Sequence, residues 1–330
     1  MTDVPTTAIG WMAAAEAAGL DPAPTPITPR TLPDLAIRTL RTEINGRRAL
    51  GRRLEPRPGR ILASLVPTLD RPVFLVGAAR SGTTFLGEAL GALPEVSYHH
   101  EPVATKAAAR YVHDGLWTER RSQAFYRLVY RWLLRVGFDG GRRFAEKTPW
   151  NAFLLPFLAR TFPRLQVIHI IRDGRDVAAS HIRRPWLRAD AATSGTREPG
   201  GYLYGPWAQF WVPEDDRAAF ETGPDVLRMS MAWRLFTEAA LRDGPALGPH
   251  RYLELRYESL VTQPIAEGTR ILDFLGIHES ASRATFLGAV EHADPGSVGS
   301  WQRAFDETQL EQLLADAGHL LEQLGYLGEG

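Results

Sequence analysis

From residue 72 onward the apolar positions fall into short continuous runs, each followed by a stretch with helical spacing. "PVFLVG" reads as a buried strand, and "GTTFLGEALGAL" after it as a helix opening on small and hydroxyl residues. "FAEK" (144–147) ends a second strand before Thr148 and Pro149, and a helix over about 150–161 precedes the apolar strand in "PRLQVIHIIRDG". "DVAASHIRR" begins the next helix, and "HRYLELRYESL" supplies a late strand. Strands alternating with helices predict an α/β fold: a parallel β-sheet flanked by helices on both faces. Ligands of such sheets bind beyond the carboxyl ends of the strands, where the unusual motifs of this chain fall.

The flanks differ. Residues 1–30 are rich in Ala, Pro and Thr and read as a loosely held arm with one short helix at 8–19. Leu32, Leu35, Leu40 and Ile44 recur at helical spacing over 32–66, with breaks at Pro56 and Pro58. The chain is therefore expected to divide into an N-terminal arm and helical extension (1–70) and a main domain (71–330). Within the latter, 182–232 is an aromatic-rich insert carrying Trp186, Tyr202, Tyr204, Trp207, Phe210 and Trp211. It reads equally as a lid stacking on a ligand or as a packing insert. Near the end, Asp306 and Gln309 form a capping box, followed by a packing stripe of Leu310, Leu313, Leu314, Ala317, Leu320, Leu321 and Leu324.

Composition narrows the function. The 330 residues, 44% hydrophobic, bury a full core, and 38 basic residues cancel 38 acidic ones, so no nucleic-acid partner is expected. The absence of cysteine removes disulfides, thiolate catalysis and cysteine-ligated metals. The first residues, "MTDVPTTAIGWMAAAEAAGL", carry no basic n-region, and Glu16 interrupts the alanine run. No uncharged apolar stretch reaches the roughly 20 residues of a membrane span. A soluble cytoplasmic protein is expected. Lys106 and Lys147 are the only lysines, a bias that points to a G+C-rich genome and a bacterial source.

"FLVGAARSGTTFL" (74–86) has the glycine spacing of a nucleotide phosphate loop, but Thr83 stands where the lysine of G-x-x-x-x-G-K-[ST] belongs. Gly77 and Gly82 admit close approach of the backbone, the helix start offers N–H groups, and Ser81, Thr83 and Thr84 add hydroxyls. Arg80 is the candidate for the missing charge. "IHIIRDGRDVAAS" provides a second anion site, in which Arg172 at the strand end and Ser180 in the next helix converge. Arg184, one helical turn further, is read on the same face. A metal-dependent kinase places an aspartate at that strand end, whereas here Arg172 precedes Asp173. The pattern therefore suits one nucleotide with anionic groups at both ends, bound without a metal.

These residues resemble PAPS-dependent sulfotransferases (donor 3′-phosphoadenosine-5′-phosphosulfate). The resemblance covers roughly 72–325 and is nearer to the bacterial, tyrosylprotein and heparan-sulfate branches than to the cytosolic aryl/steroid branch. It implies a P-loop-type fold, with "RSGTT" as the 5′-phosphosulfate loop and Arg80 in the role of the cytosolic branch's lysine. It further implies Arg172 and Ser180 as 3′-phosphate ligands and Tyr257 of "RYESL" beside the adenine. "GSVGSWQRAF" is similar to the segment that closes over the donor, implying Ser300 and Arg303. There Gln302 occupies the position after Trp301 where the cytosolic branch has a basic residue.

Lys147 of "EKTPW" occupies the position where the family touches the bridging oxygen of the donor. The cytosolic branch's catalytic histidine is replaced by Pro149, and Glu101 of "SYHHEP" stands where other branches have a glutamate base. His99 and His100 are its rivals. The expected reaction is transfer of a sulfuryl group to a hydroxyl of a small-molecule, glycan or lipid acceptor. The alternatives are a P-loop kinase using ATP and Mg²⁺, and a non-catalytic nucleotide-binding protein.

Overall fold

The structure, a computed structural model, describes residues 8–327 apart from Arg53, Glu55 and Arg57. The first seven residues of the expected arm lie outside the described residues. Three helices precede the sheet: α1 (Ala8–Ala17), α2 (Leu32–Ala49) and α3 (Pro58–Leu65). Then come β1 (Val73–Val76), α4 (Thr83–Ala92), β2 (Val96–His100), α5 (Val103–His113), α6 (Glu119–Val136) and β3 (Arg143–Lys147). A 3₁₀ turn at Pro149–Leu154 leads to α7 (Leu155–Thr161), β4 (Gln166–Ile171) and α8 (Gly174–His181). The remainder comprises α9 (Glu214–Thr222), α10 (Asp225–Asp243), β5 (Tyr252–Arg256), α11 (Tyr257–Thr262), α12 (Pro264–Leu275), α13 (Ser280–Val290) and α14 (Glu307–Gln323).

The five strands form one parallel sheet in the order β2-β3-β1-β4-β5. Alternation along β1 divides the interior into two layers. Phe74 and Val76 face a core shared with α5, α6, α7, α10 and α14. Val73 and Leu75 face the opposite core, built with α4, α11, α12 and α13. With both faces covered, β1 and β4 become nearly continuous apolar runs, legible without a period-two pattern, whereas β5 at the edge of the sheet alternates buried and half-buried positions. From β1 the chain crosses through α4 to β2, and from β3 through α7 to β4, so connections diverge on either side of the central strand. That divergence opens the crevice above its carboxyl end.

Two readings change. The arm is pinned rather than loose: Thr25 N donates to Gly201 O (3.1 Å), and Arg110 and Arg197 donate to carbonyls of Thr25, Asp21 and Ala23. The insert is not uniform, because its last residues begin α10, which packs on α8 and α14. The capping box of α14 is present, and Leu313, Ala317, Leu320 and Leu321 are buried in the core. Among the described residues, no helix is long and apolar enough to cross a membrane.

Burial of ionisable groups makes stability depend on pH. Burial, with Arg256 and Arg80 respectively, pushes His169 and His181 down to about 3. Each stays neutral in the folded protein, so its contribution is full above the unfolded value near 6.5 and is lost as pH falls below it, about 2 kcal/mol each by pH 5. Glu146 works the other way. Burial pushes it up to about 7 against hydrogen bonds from Tyr130 and Asn151, so its protonation adds stability on acidification. The balance predicts a lower unfolding temperature at pH 5 than at pH 7. His169→Gln should show a smaller drop, measured by thermal unfolding across that range.

Candidate active site

The carboxyl ends of all five strands meet above the sheet. β1 runs into the loop 77–82, in which Arg80 has φ +76° and Gly82 φ +89°. A Cβ on Gly82 would lie 2.5 Å from the ring of Tyr257, so glycine is what lets that ring rest against the loop. Glu101, just past β2, has φ +43°, a conformation uncommon for a side-chain-bearing residue. Its backbone N donates to Lys147 O at the end of β3 (2.9 Å), which holds the two residues together.

Two cavities of about 510 and 500 Å³ flank the loop, and both are lined by Arg80, Thr83 and Thr84. The first also takes in His100, Glu101, Lys106, Lys147 and Arg184, under walls that include Trp150, Trp186, Tyr204 and Trp211. The second is lined by Gly82, Arg172, Ser180, Arg183, Tyr257, Ser297, Ser300 and Arg303.

The second cavity is built for an anion. Arg172 lies over the Tyr257 ring (4.5 Å) and donates to Ser297 O (2.5 Å) and Arg80 O (3.3 Å). Its buried Nε has no partner among the described residues. A buried donor without a partner costs on the order of 1–3 kcal/mol, which an acceptor in the cavity would recover. Arg80 Nε donates to Ser180 Oγ (3.1 Å), joining the two motifs that the sequence separates by a hundred residues. Burial and the like charges of Arg184, Arg172 and Arg183 hold the Arg80 guanidinium below its usual value. Asp176, 3.8 Å from Arg172, offsets one of these four cations, and the remaining positive charge calls for an anion.

The segment after α13 closes this side. Asp176, buried in α8, accepts from Gly299 N (2.8 Å), Ser300 Oγ (3.0 Å) and Trp301 N (2.9 Å). Arg175 lies over the Trp301 ring (4.2 Å), and Tyr257 Oη meets Ser297 Oγ at 2.8 Å. Asp173 caps α8 and pairs with Arg175, so this carboxylate is already engaged.

In the first cavity Glu101 is held from both sides. Lys147 Nζ donates to Oε1 (2.5 Å) and Lys106 Nζ to Oε2 (2.8 Å), and Lys106 also reaches Glu198 Oε2 (2.9 Å). Burial pushes the Glu101 carboxyl up, but Lys106 and Lys147 outweigh it and hold it well below the usual carboxylate range. Burial lowers Lys147 despite Glu101. His100, whose Nε2 is 3.9 Å from Glu101, is pushed down to about 4 by burial and Lys147, and so is neutral at pH 7.

The sequence-based site residues thus come together with three exceptions. Ser81 is buried and lines neither cavity. Arg184 does not share the face of Ser180. α8 ends at His181, the backbone is extended at Arg184, and its side chain lines the first cavity while Arg183 lines the second. His99 points away: it is buried, with Nδ1 2.7 Å from Glu43 of α2. Lys106, Asp176 and Glu198 escaped the sequence reading. For Lys106 a signal existed, since a chain with 38 basic residues keeps lysine at only two places. Both lie on Glu101.

A sequence model described as "Sulfotransferase family" matches residues 72–280. The chain is 28% identical over 204 residues to mouse carbohydrate sulfotransferase 7, covering 54% of this chain and 42% of that protein. It is 23% identical over 288 residues to a "Putative protein-tyrosine sulfotransferase" of Caenorhabditis briggsae, covering 79% and 91%. It spans about two fifths of the length of the carbohydrate sulfotransferases it matches. Among solved structures, sulfotransferase STF9 from Mycobacterium avium superposes with a TM-score of 0.49 at 12% identity over 98% of both chains. Mouse sulfotransferase SULT7A1 complexed with PAP gives 0.47 at 16% identity, over 79% of this chain and 91% of that one. Since the family match runs from β1 to the start of α13 and takes in the phosphate-type loop, Glu101, Lys147 and Arg172, the chain belongs to the sulfotransferase family.

Proposed function

We propose that this protein transfers a sulfuryl group from PAPS to the hydroxyl of a compact, ring-bearing acceptor, with Glu101 as the base. The observation that carries this reading is the pair of cavities sharing Arg80, Thr83 and Thr84, one ending on Arg172 and Ser180, the other on Glu101 and Lys147. The Arg172 Nε, without a partner among the described residues, and the like charges crowded around Arg80 fit an anion at the end remote from Glu101. When bound, PAPS supplies an activated sulfuryl group on its 5′-phosphate and an anchoring 3′-phosphate.

The residues divide the work. Arg172, Ser180 and Arg303 hold the 3′-phosphate end, with Arg183 a further candidate, while Ser300, bonded to Asp176, fixes the segment that closes over it, and Tyr257 lies beside the adenine. Arg80, Gly82, Thr83 and Thr84 cradle the phosphosulfate. Lys147 stabilises charge on the leaving oxygen. Glu101 Oε1 accepts the acceptor's proton as its oxygen bonds to sulfur, and His100 is the neighbouring second proton carrier. Arg184 lines the acceptor side, and no residue is assigned to a metal.

Trp150, Trp186, Tyr204 and Trp211 wall the acceptor half, and its polar groups are largely paired to one another. That favours the face of a ring over an extended polyanion. The relatives' names span carbohydrates and protein tyrosine, and a sugar or a phenol each presents such a face with a hydroxyl. A cytoplasmic, bacterial setting belongs to the same proposal. A kinase reading is less well supported, because Arg80 replaces the loop lysine and Asp173 is committed to Arg175.

Incubation with PAPS and a panel of phenols, sugars and alcohols, followed by release of 3′,5′-ADP, tests the reaction. Acceptor-dependent release supports it, and its absence across the panel with intact nucleotide binding points to the non-catalytic alternative. Arg172→Ala should weaken 3′,5′-ADP binding by about a hundredfold, from loss of a charge-assisted contact, with a smaller effect on turnover at saturating donor.

A further inference from the structure

Glu101 is caged, and the two bars of the cage are unequal. Lys147 Nζ has one hydrogen bond among the described residues, to Oε1. Lys106 Nζ has three partners: Glu101 Oε2, Glu198 Oε2 and the face of Trp150 at 4.7 Å. Glu198 is itself built in. It opens a tight turn in the insert, closed by Gly201 N donating to its carbonyl (2.9 Å), and its backbone N donates to Tyr202 O (2.8 Å). A Cβ on Gly200 would fall 2.5 Å from both Glu198 Oε1 and the Trp150 ring, so glycine makes room for the carboxylate and the ring together.

We propose that Lys106, tied down by Glu198 and Trp150, is the positioning residue for Glu101: it keeps the carboxylate fixed and charged while Lys147 exchanges Oε1 for the bound donor. This rests on the sulfuryl-transfer reading. It also gives the insert a task, since Glu198 makes 182–232 part of the base's support. Lysine suits both places because an ammonium on a flexible stem can grip one oxygen and, in the case of Lys147, release it. A guanidinium would occupy both.

Charge follows the same course. The groups facing Glu101 are Lys147 from β3, Lys106 from α5, His100 from β2, and Glu198 through Lys106, with Glu146, Tyr98 and Arg80 further out. While both lysines are engaged, Glu101⁻, Glu198⁻, Lys106⁺ and Lys147⁺ cancel, and Glu101 binds a proton poorly. Once Lys147 turns away, two carboxylates share one ammonium, and the proton affinity of Glu101 rises when the acceptor hydroxyl needs a base.

A chain with two lysines allows a direct test. Protein labelled with ¹⁵N at lysine Nζ gives two side-chain ammonium resonances, assigned with Lys106→Arg. In the free protein, Nζ hydrogen exchange should be about tenfold slower at Lys106 than at Lys147, the difference of a further charge-assisted hydrogen bond. Glu198→Gln should abolish that difference, and Glu198→Asp should restore part of it. On adding 3′,5′-ADP, the Lys147 resonance should move while that of Lys106 stays. Equal exchange at the two lysines in the wild-type protein, or a Lys106 resonance that moves while Lys147 stays, overturns the proposal. Failure of 3′,5′-ADP to bind calorimetrically would instead count against the donor reading, and the ligand-free comparison would still decide on the pair.

Discussion

Glu101→Gln should lower acceptor-dependent turnover by about a thousandfold, within the 10²–10⁴ range of a positioned general base. Binding of 3′,5′-ADP should become no weaker, because Glu101 lies at the acceptor side and its removal leaves extra positive charge beside the donor. The substitution also strips both lysines of a carboxylate. Lys106 keeps Glu198, whereas Lys147 is left buried without its partner. Breaking a buried pair in this way costs about 3–5 kcal/mol, so the unfolding temperature should fall as well. Turnover is therefore measured well below that temperature. A variant that binds 3′,5′-ADP normally and retains more than a tenth of wild-type turnover would remove Glu101 from the role of base and turn attention to His100.

Lys147→Ala should cut turnover about a hundred- to a thousandfold, equivalent to about 2.7–4 kcal/mol of transition-state stabilisation, with a much smaller effect on donor affinity. A second effect carries the opposite sign. Without the ammonium on Oε1, Glu101 keeps only Lys106 of its two lysines, so its pKa rises. The acid limb of the kcat/KM profile should accordingly move to higher pH in this variant, while its plateau falls. Arg172→Ala should show the reverse division, with binding lost more than turnover. Equal effects of either substitution on both parameters would contradict the assignment of the two cavities to the two ends of the donor.

β1 and β4 were legible because they are buried on both faces and motifs stand where they end, whereas β2, with the polar sequence VSYHH, gave no apolar run to follow. The phosphate-type loop was legible for a local reason, since glycine spacing and hydroxyls are a property of consecutive residues. Glu101 and Lys147 required the family resemblance to stand out, and the structure brings them to 2.5 Å. What stayed hidden depends on contacts between remote segments. Asp176 looks like one more charge in "RDGRD" until the segment 299–301 is seen folded over it. Glu198 lies in a Gly- and Pro-rich stretch whose path no local pattern predicts. Arg184 departs from the helical spacing for a different reason: α8 ends at His181 and the backbone is extended at Arg184. His99 was a credible rival for Glu101 only while α2, which supplies Glu43, had no place in the fold.

Two anion sites are proposed to span one 3′-phosphorylated nucleotide. Calorimetric titration with 3′,5′-ADP and with 5′-ADP, each with and without Mg²⁺, tests this most directly. Binding of 3′,5′-ADP should be tight and indifferent to the metal, and binding of 5′-ADP weaker by about a hundredfold for the lost charge-assisted contacts. Preference for 5′-ADP that appears only with Mg²⁺ would contradict the proposal and restore the kinase reading.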